Sequence, residues 1–344
     1  MLRWFALTAN SAGATTSGAP GTAVVLRLLA SVAALGVGTA AIIVVVVLLH
    51  DTPGPVASTT TAVAPAATTQ ETGGHTPSTF PAPPQGAVVF THQNGGTVLA
   101  LAVTPQAKSL RLQASAVGQQ GVGTKGLGVS FAVGGRSARA TACGPGCYRA
   151  TLPAPPQPRA VDVTVSGGGL DTRWHQPLPA AWPAPSGAAL MQNANHVWRS
   201  LKSLAYVEHL ASDPTHAVTS TWRVSAPDRA TYQVVGGYGG IIIGGRRWDR
   251  APAGRWLPSA QTSPITQPVP FWMRVTDAHV LGSATVAGRP VWLVSFFDPV
   301  TPAWFQVALD KQTGHTLKLQ MMTTAHFMHD TYGSFDTAAP ITPP

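Results

Sequence analysis

From Leu28 to Leu49 the chain reads LLASVAALGVGTAAIIVVVVLL, twenty-two residues without a charge. As a helix rising 1.5 Å per residue, this run is about 33 Å long, against a hydrocarbon core of roughly 30 Å. A backbone crossing lipid must pair every amide internally, and a single helix does so in one pass. Uninterrupted apolarity of this length therefore outweighs the strand preference of the Val/Ile run. A secretory signal would have an apolar core of roughly 7–15 residues ending in a small-residue cleavage site. Here the run ends in Leu48-Leu49-His50-Asp51, so an uncleaved anchor is expected over 22–49. Arg3 and Arg27 precede the run, and no Lys or Arg follows until Lys108. The positive-inside rule then places 1–21 as a short cytoplasmic tail and everything after His50 outside the cell membrane.

Residues 50–86 are Thr-, Pro- and Ala-rich, with Asp51 and Glu71 their only charges. Such a composition buries too little apolar surface to offset chain entropy, and its prolines make it a stiff linker. From Ala87 short alternating runs are separated by turn signals: AVVFT, TVLALAV, LRLQASAV, LGVSFAV, ARATA, YRATL and AVDVTV. This pattern predicts a small Ig-like β-sandwich over 87–166. Cys143 and Cys147 are the only cysteines, and an extracytoplasmic setting favours a disulfide between them. The Pro-rich stretch 167–185 reads as a connector. Ser186 then begins a helical period through Leu190, Met191, Ala194, Val197, Trp198, Leu201 and Leu204. Strand patterns resume and end in a long run, HTLKLQMMTTAHFMHD over 315–330. One helix on a curved antiparallel sheet is the α+β arrangement expected for 186–336, followed by a disordered tail at 337–344. The expected class is thus a membrane-anchored, mainly β chain.

Three strings carry a resemblance in the last 150 or so residues: WRVSAPDR at 222–229, IGGRRW at 243–248 and GRPVWLVSF at 288–296, with DKQTG at 310–314 before the final run. In this order, after an amphipathic helix, they resemble the LolA-like lipoprotein-carrier fold, which implies a lipid or lipoprotein ligand. The succession of membrane segment, sandwich and carrier-like domain also resembles the extracytoplasmic C-terminal part of bacterial copper-transport proteins of the CopD/CopC type. That resemblance implies an accessory role in copper handling beside a copper-transporting membrane protein. The chain departs from it in having one spanning segment, and His92 is the one obvious ligand in its sandwich.

The densest set of soft ligands is in the final run. If 315–330 is one strand, Met322, His326 and Met328 share a face, and two thioethers with an imidazole suit Cu(I). The alternative is that these Met and Phe side chains line a carrier cavity, with Trp292 and Phe296 among its rings. His209 and His279 would join a metal site only if the fold gathers them. The Gly236–Gly240 stretch lacks the strand–loop–helix and Lys-Ser/Thr of a phosphate loop. No nucleophile-elbow or zinc-protease motif is present, so the sequence points to binding and not to an enzyme. The net charge of +9 is spread among strands, which argues against nucleic acid and for anionic headgroups or wall polymers. Two functions stand: a single-pass, membrane-anchored accessory in copper homeostasis, and an envelope carrier of lipid or lipoprotein. A scaffold or sensor without a small ligand is the third.

Overall fold

The computed structural model describes residues 81–344 except 95–96, 118–122, 214–215, 262 and 324–325. The expected cytoplasmic tail, the Leu28–Leu49 anchor and most of the linker lie outside the described residues. Those described belong to one compact unit, and among them no helix is long and apolar enough to cross a membrane.

The first nine strands are β1 (Val88–Asn94), β2 (Thr97–Pro105), β3 (Ser109–Val117), β4 (Gly128–Val133), β5 (Arg136–Arg139), β6 (Thr141–Gly144), β7 (Cys147–Pro153), β8 (Ala160–Gly167) and β9 (Leu170–Pro177). They form two sheets, ordered β1-β2-β3-β7-β6 and β5-β4-β8-β9. Alternation turns Phe90, Leu99, Leu101 and Leu112 of one sheet towards Phe131, Val161, Val163 and Trp174 of the other, a shared core. The disulfide joins Cys143 to Cys147 across the β6–β7 hairpin, as expected, with 5.0 Å between the Cα atoms. Two readings change. The ARATA run is divided between β5 and β6, which belong to different sheets. The stretch read as a connector carries β9, whose buried side chains are Thr172, Trp174 and Gln176. One apolar residue in three inward positions gives no strand-like hydrophobic period.

The runs at β1 and β2 have little polar alternation because both faces are buried. Their second face, Val89, Val98, Ala100 and Ala102 with the preceding Ala87, packs on Ala211, Phe297, Trp304, Met322 and Phe327 of the following sheet.

That sheet follows helix α1 (Ala188–Ser200). Its strands are β10 (Ser203–Asp213), β11 (His216–Ser225), β12 (Arg229–Val234), β13 (Gly239–Ile243), β14 (Arg246–Arg250), β15 (Leu257–Ser259), β16 (Thr276–Val286), β17 (Arg289–Asp298), β18 (Ala303–Asp310), β19 (Thr316–Thr323) and β20 (His326–Gly333). All eleven pair antiparallel, in the order β15-β14-β13-β12-β11-β10-β20-β19-β18-β17-β16. The helix is shorter than its sequence period suggests, because Leu201 is already extended and Leu204 belongs to β10. Gly187 precedes it without a capping side chain. A Cβ at Gly187 would lie 2.8 Å from a Val294 methyl carbon, so glycine permits the close approach of the helix start to the sheet. Buried Met191, Ala194 and Trp198 face the sheet, and the Trp198 indole donates to Thr316 Oγ1 at 3.0 Å. The one antiparallel sheet with one helix is the expected arrangement. The single long strand over 315–330 is not: β19 ends at Thr323 and β20 begins at His326, paired antiparallel with it. The expected disordered tail is not found either, since Ile341 is buried and its carbonyl accepts from Arg229 Nη1 at 2.7 Å.

Candidate functional site

Register decides which side chains share a face of the eleven-stranded sheet, because directly paired residues point the same way. On the helix side one row runs Tyr332, Tyr206, Trp222 and Tyr232. On the other side the adjoining rows run Thr331, Val207, Thr221, Gln233, Gly239, Arg250, and Gly333, Ala205, Arg223, Thr231, Ile241, Trp248. All of these two rows but Gly239 and Trp248 line a groove of about 660 Å³, together with Trp256, Ser334 and the intervening Tyr332, Tyr206, Trp222 and Tyr232. That volume falls in the range of small-molecule sites.

The far wall is built from the β13–β15 end. β14 alternates, so Arg246, Trp248 and Arg250 point to the groove side while Arg247 and Asp249 point away. Arg247 Nε and Asp249 Oδ1 are 2.9 Å apart, an ion pair closed on the opposite face. On the groove side the Arg250 guanidinium lies 4.6 Å from the Trp256 ring centroid, and Arg246 lies 5.2 Å from that of Trp248. Arg250 Nη2 also donates to Gln233 Oε1 at 2.7 Å. Gln233 is itself pinned, since its Nε2 donates to the carbonyls of Val234 and Gly237, each at 2.9 Å. Glycine at 239 lets the Trp256 ring settle: a Cβ there would be 3.3 Å from the ring and 2.7 Å from Gln233 Oε1. Val207, Ile241 and Trp256 supply apolar surface. Among the described lining residues none carries a carboxylate.

The helix side is packed with rings. Phe296 is fully buried and stacked on Phe305 at 4.9 Å, with Trp272 at 5.5 Å from Phe296 and 6.1 Å from Trp198. Trp272 is anchored by its indole donating to Asn195 Oδ1 at 2.7 Å. Trp292 shares this face but lies at its rim, with Lys311 Nζ 3.7 Å from its ring centroid and a cavity of about 200 Å³ beside it. The two rings expected to line one lipid cavity are therefore a core residue and a rim residue.

The hairpin also divides the expected metal ligands. Met322 pairs with Phe327, whereas Met328 pairs with Met321, and successive pairs alternate faces. Met322 thus packs toward the sandwich with Trp304, and Met328 faces the helix side. His326 pairs with Thr323, and its side chain lies outside the described residues. The shared face that motivated a Cu(I) site rested on one continuous strand and is lost with it. His209 and His279 do lie in one row, which runs His279, Ser295, Gln306, Gln320, His329, His209. Five strand spacings separate the two, about 24 Å, too far to share an ion. Among the described residues no group of three or more His, Cys, Asp or Glu is placed to hold a metal.

Arg223, Gln233 and Arg250 carry the groove and were not singled out from the sequence. Part of the signal was there: R-R-W-D-R alternates, so two arginines and a tryptophan had to share a face of any strand at 246–250.

No protein-family model matches the sequence, and no curated protein matches it. Solved structures similar to it include the Mycobacterium tuberculosis lipoprotein LppX, 12% identical with a TM-score of 0.37, covering 45% of this chain and 97% of LppX. LprF from Mycobacterium bovis is 10% identical with a TM-score of 0.36, covering 47% of this chain and 99% of LprF. A LolA superfamily protein from Nitrosomonas europaea is 6% identical with a TM-score of 0.23, covering 46% of this chain and 96% of that one. The copper-transport resemblance finds no support in these three.

Proposed function

We propose that this chain is a non-enzymatic binding protein of the cell envelope that holds an amphiphile, a lipid or a lipidated chain, in the groove on the sheet face opposite α1. The observation that carries this reading is the groove itself: about 660 Å³, open, floored by Val207 and Ile241, walled by Trp256 and edged by cations. Apolar surface interleaved with Thr221, Thr231, Thr331 and Gln233 is the composition of a site for an elongated, partly apolar molecule. In this reading the Leu28–Leu49 run anchors the chain, and the linker holds the groove on the outer side of the membrane, within reach of its lipids.

Photo-labelling tests it. Full-length protein, delipidated and incubated with a photoactivatable palmitic acid, should carry adducts on peptides containing Val207, Ile241 or Trp256. Labelling confined to peptides around Trp292 and Phe296, or no labelling above that of an unrelated protein, overturns the groove as the site.

A further inference from the structure

We infer that the groove's ligand carries a negative charge, received by Arg250 and Arg223. The inference rests on reading the groove as the ligand site and adds the chemical class of its occupant.

Strand β14 separates its charges by face. On β14 the one carboxylate, Asp249, is turned away from the groove and neutralised there by Arg247 at 2.9 Å. Arg246 and Arg250 remain on the groove side with only aromatic and amide partners. Arg223 joins them from β11, exposed, with no hydrogen bond or ion pair among the described residues. Cations that line a concave surface without a carboxylate raise the local concentration of anions.

Arg250 is also prepared for one. Stacking on Trp256 and the bond to Gln233 fix its plane, so a ligand meets an ordered guanidinium and little side-chain entropy is lost on binding. Of its five N–H donors, one is used by Gln233, which leaves donors for a phosphate or carboxylate oxygen. Arg223 and Arg250 stand three strand spacings apart and two residues out of register, about 16 Å, with Ile241 on the strand between β12 and β14. Two cations at the ends of a partly apolar trough fit an elongated molecule with an anionic head. Phosphate is the chemistry that an acidic phospholipid shares with free phosphate, and the experiment separates the two.

Full-length protein labelled with the palmitic acid probe is competed with phosphatidylglycerol, with phosphatidylcholine and with inorganic phosphate. Phosphatidylglycerol is expected to suppress labelling at a concentration about tenfold or more below that of phosphatidylcholine, the scale of one charge-assisted hydrogen bond. In the R223Q/R250Q double variant the two lipids should compete within about twofold of each other, while R250K, which keeps the charge but loses the stacked planar fork, should retain only part of the preference. Near-ultraviolet circular dichroism identical to wild type confirms that the double variant is folded. R223Q alone, which alters only an exposed side chain, should already reduce the preference. Equal competition by the two lipids in wild type overturns the charge assignment and leaves the groove reading intact. Failure of both lipids to compete overturns both. Inorganic phosphate competing as well as phosphatidylglycerol shows that a free anion is the occupant, and the amphiphile is then wrong.

Discussion

Glu208 and Asp330 are direct partners across the β10–β20 pair, two buried carboxyl groups on the helix side of the sheet. Tyr332 Oη donates to Asp330 Oδ2 at 2.5 Å, and Ser220 Oγ and Trp222 Nε1 donate to Glu208 Oε2 at 2.8 and 3.0 Å. Asp330 Oδ1 has no hydrogen-bond partner among the described residues. Burial raises both carboxyl groups, Asp330 well above its ordinary value, and the Glu208 charge pushes Asp330 further.

A raised carboxyl in the fold makes the folded state hold its proton to higher pH than the unfolded chain. The stability it contributes is therefore full below the ordinary carboxylate range, about pH 4, and is lost as pH rises through the folded value. D330N removes a group that the unfolded chain ionises freely and that burial in the fold opposes ionising. It is expected to stabilise the protein at pH 8 by roughly 1–3 kcal/mol and to make little difference at pH 4. Urea unfolding at both pH values measures this. A variant destabilised equally at the two pH values would show that shape, not charge, governs the site.

On the opposite face the same two strands set His209 against His329. Burial, then the nearby His209 and Lys318 charges, lowers His329 to about 4. The sign is the reverse of Asp330: the folded state resists protonation, so stability is kept above the ordinary histidine value and lost as pH falls from about 6.5 towards 4. An NMR titration of the His329 ring should give a midpoint near 4. A midpoint near 6.5 would mean that water reaches the ring freely.

Much of this architecture was legible in the residues. The β4 and β8 alternation announced the sandwich, and the nearly unbroken apolar runs at β1 and β2 reflect burial on both sides. What failed was the final run. Between Thr323 and His326 the chain has only Thr-Ala, without glycine, proline or asparagine, so nothing marked a reversal there. Reading one strand where there are two carried Met322 to the wrong face relative to Met328, since parity restarts at every turn. The groove was hidden for a different reason. Arg223, Gln233 and Arg250 are scattered over 28 residues, and only the pairing of four strands brings them to one surface.

The β16–β17 turn offers a test of local fit. Val286 pairs with Arg289, leaving a two-residue loop in which Ala287 and Gly288 have φ of 48° and 79°. Positive φ at both positions is the type I′ hairpin turn, which favours Asn or Gly first. Alanine in that region carries a Cβ penalty of about 1 kcal/mol. A287N is expected to stabilise by about 0.5–1 kcal/mol, read as a higher urea midpoint with an unchanged slope. A287V should move the midpoint the other way, and a gain from valine would refute the turn geometry.

The groove wall makes the last prediction. At Gly239 an added Cβ would lie 2.7 Å from Gln233 Oε1 and 3.3 Å from the Trp256 ring. Gln233 has no easy retreat, because both ends of its amide are engaged, Nε2 with the Val234 and Gly237 carbonyls and Oε1 with Arg250. G239A must therefore displace the amide, free Arg250 and lift Trp256 from the strand. Overpacking of this kind costs about 1–3 kcal/mol, and labelling by the palmitic acid probe should fall with it. Gly245 is the comparison: a Cβ there meets nothing within 4 Å and its backbone is not in the left-handed region, so G245A should be close to neutral in both measurements. If G239A labels as strongly as wild type while losing stability, the Trp256 wall is structural and the ligand does not rest against it.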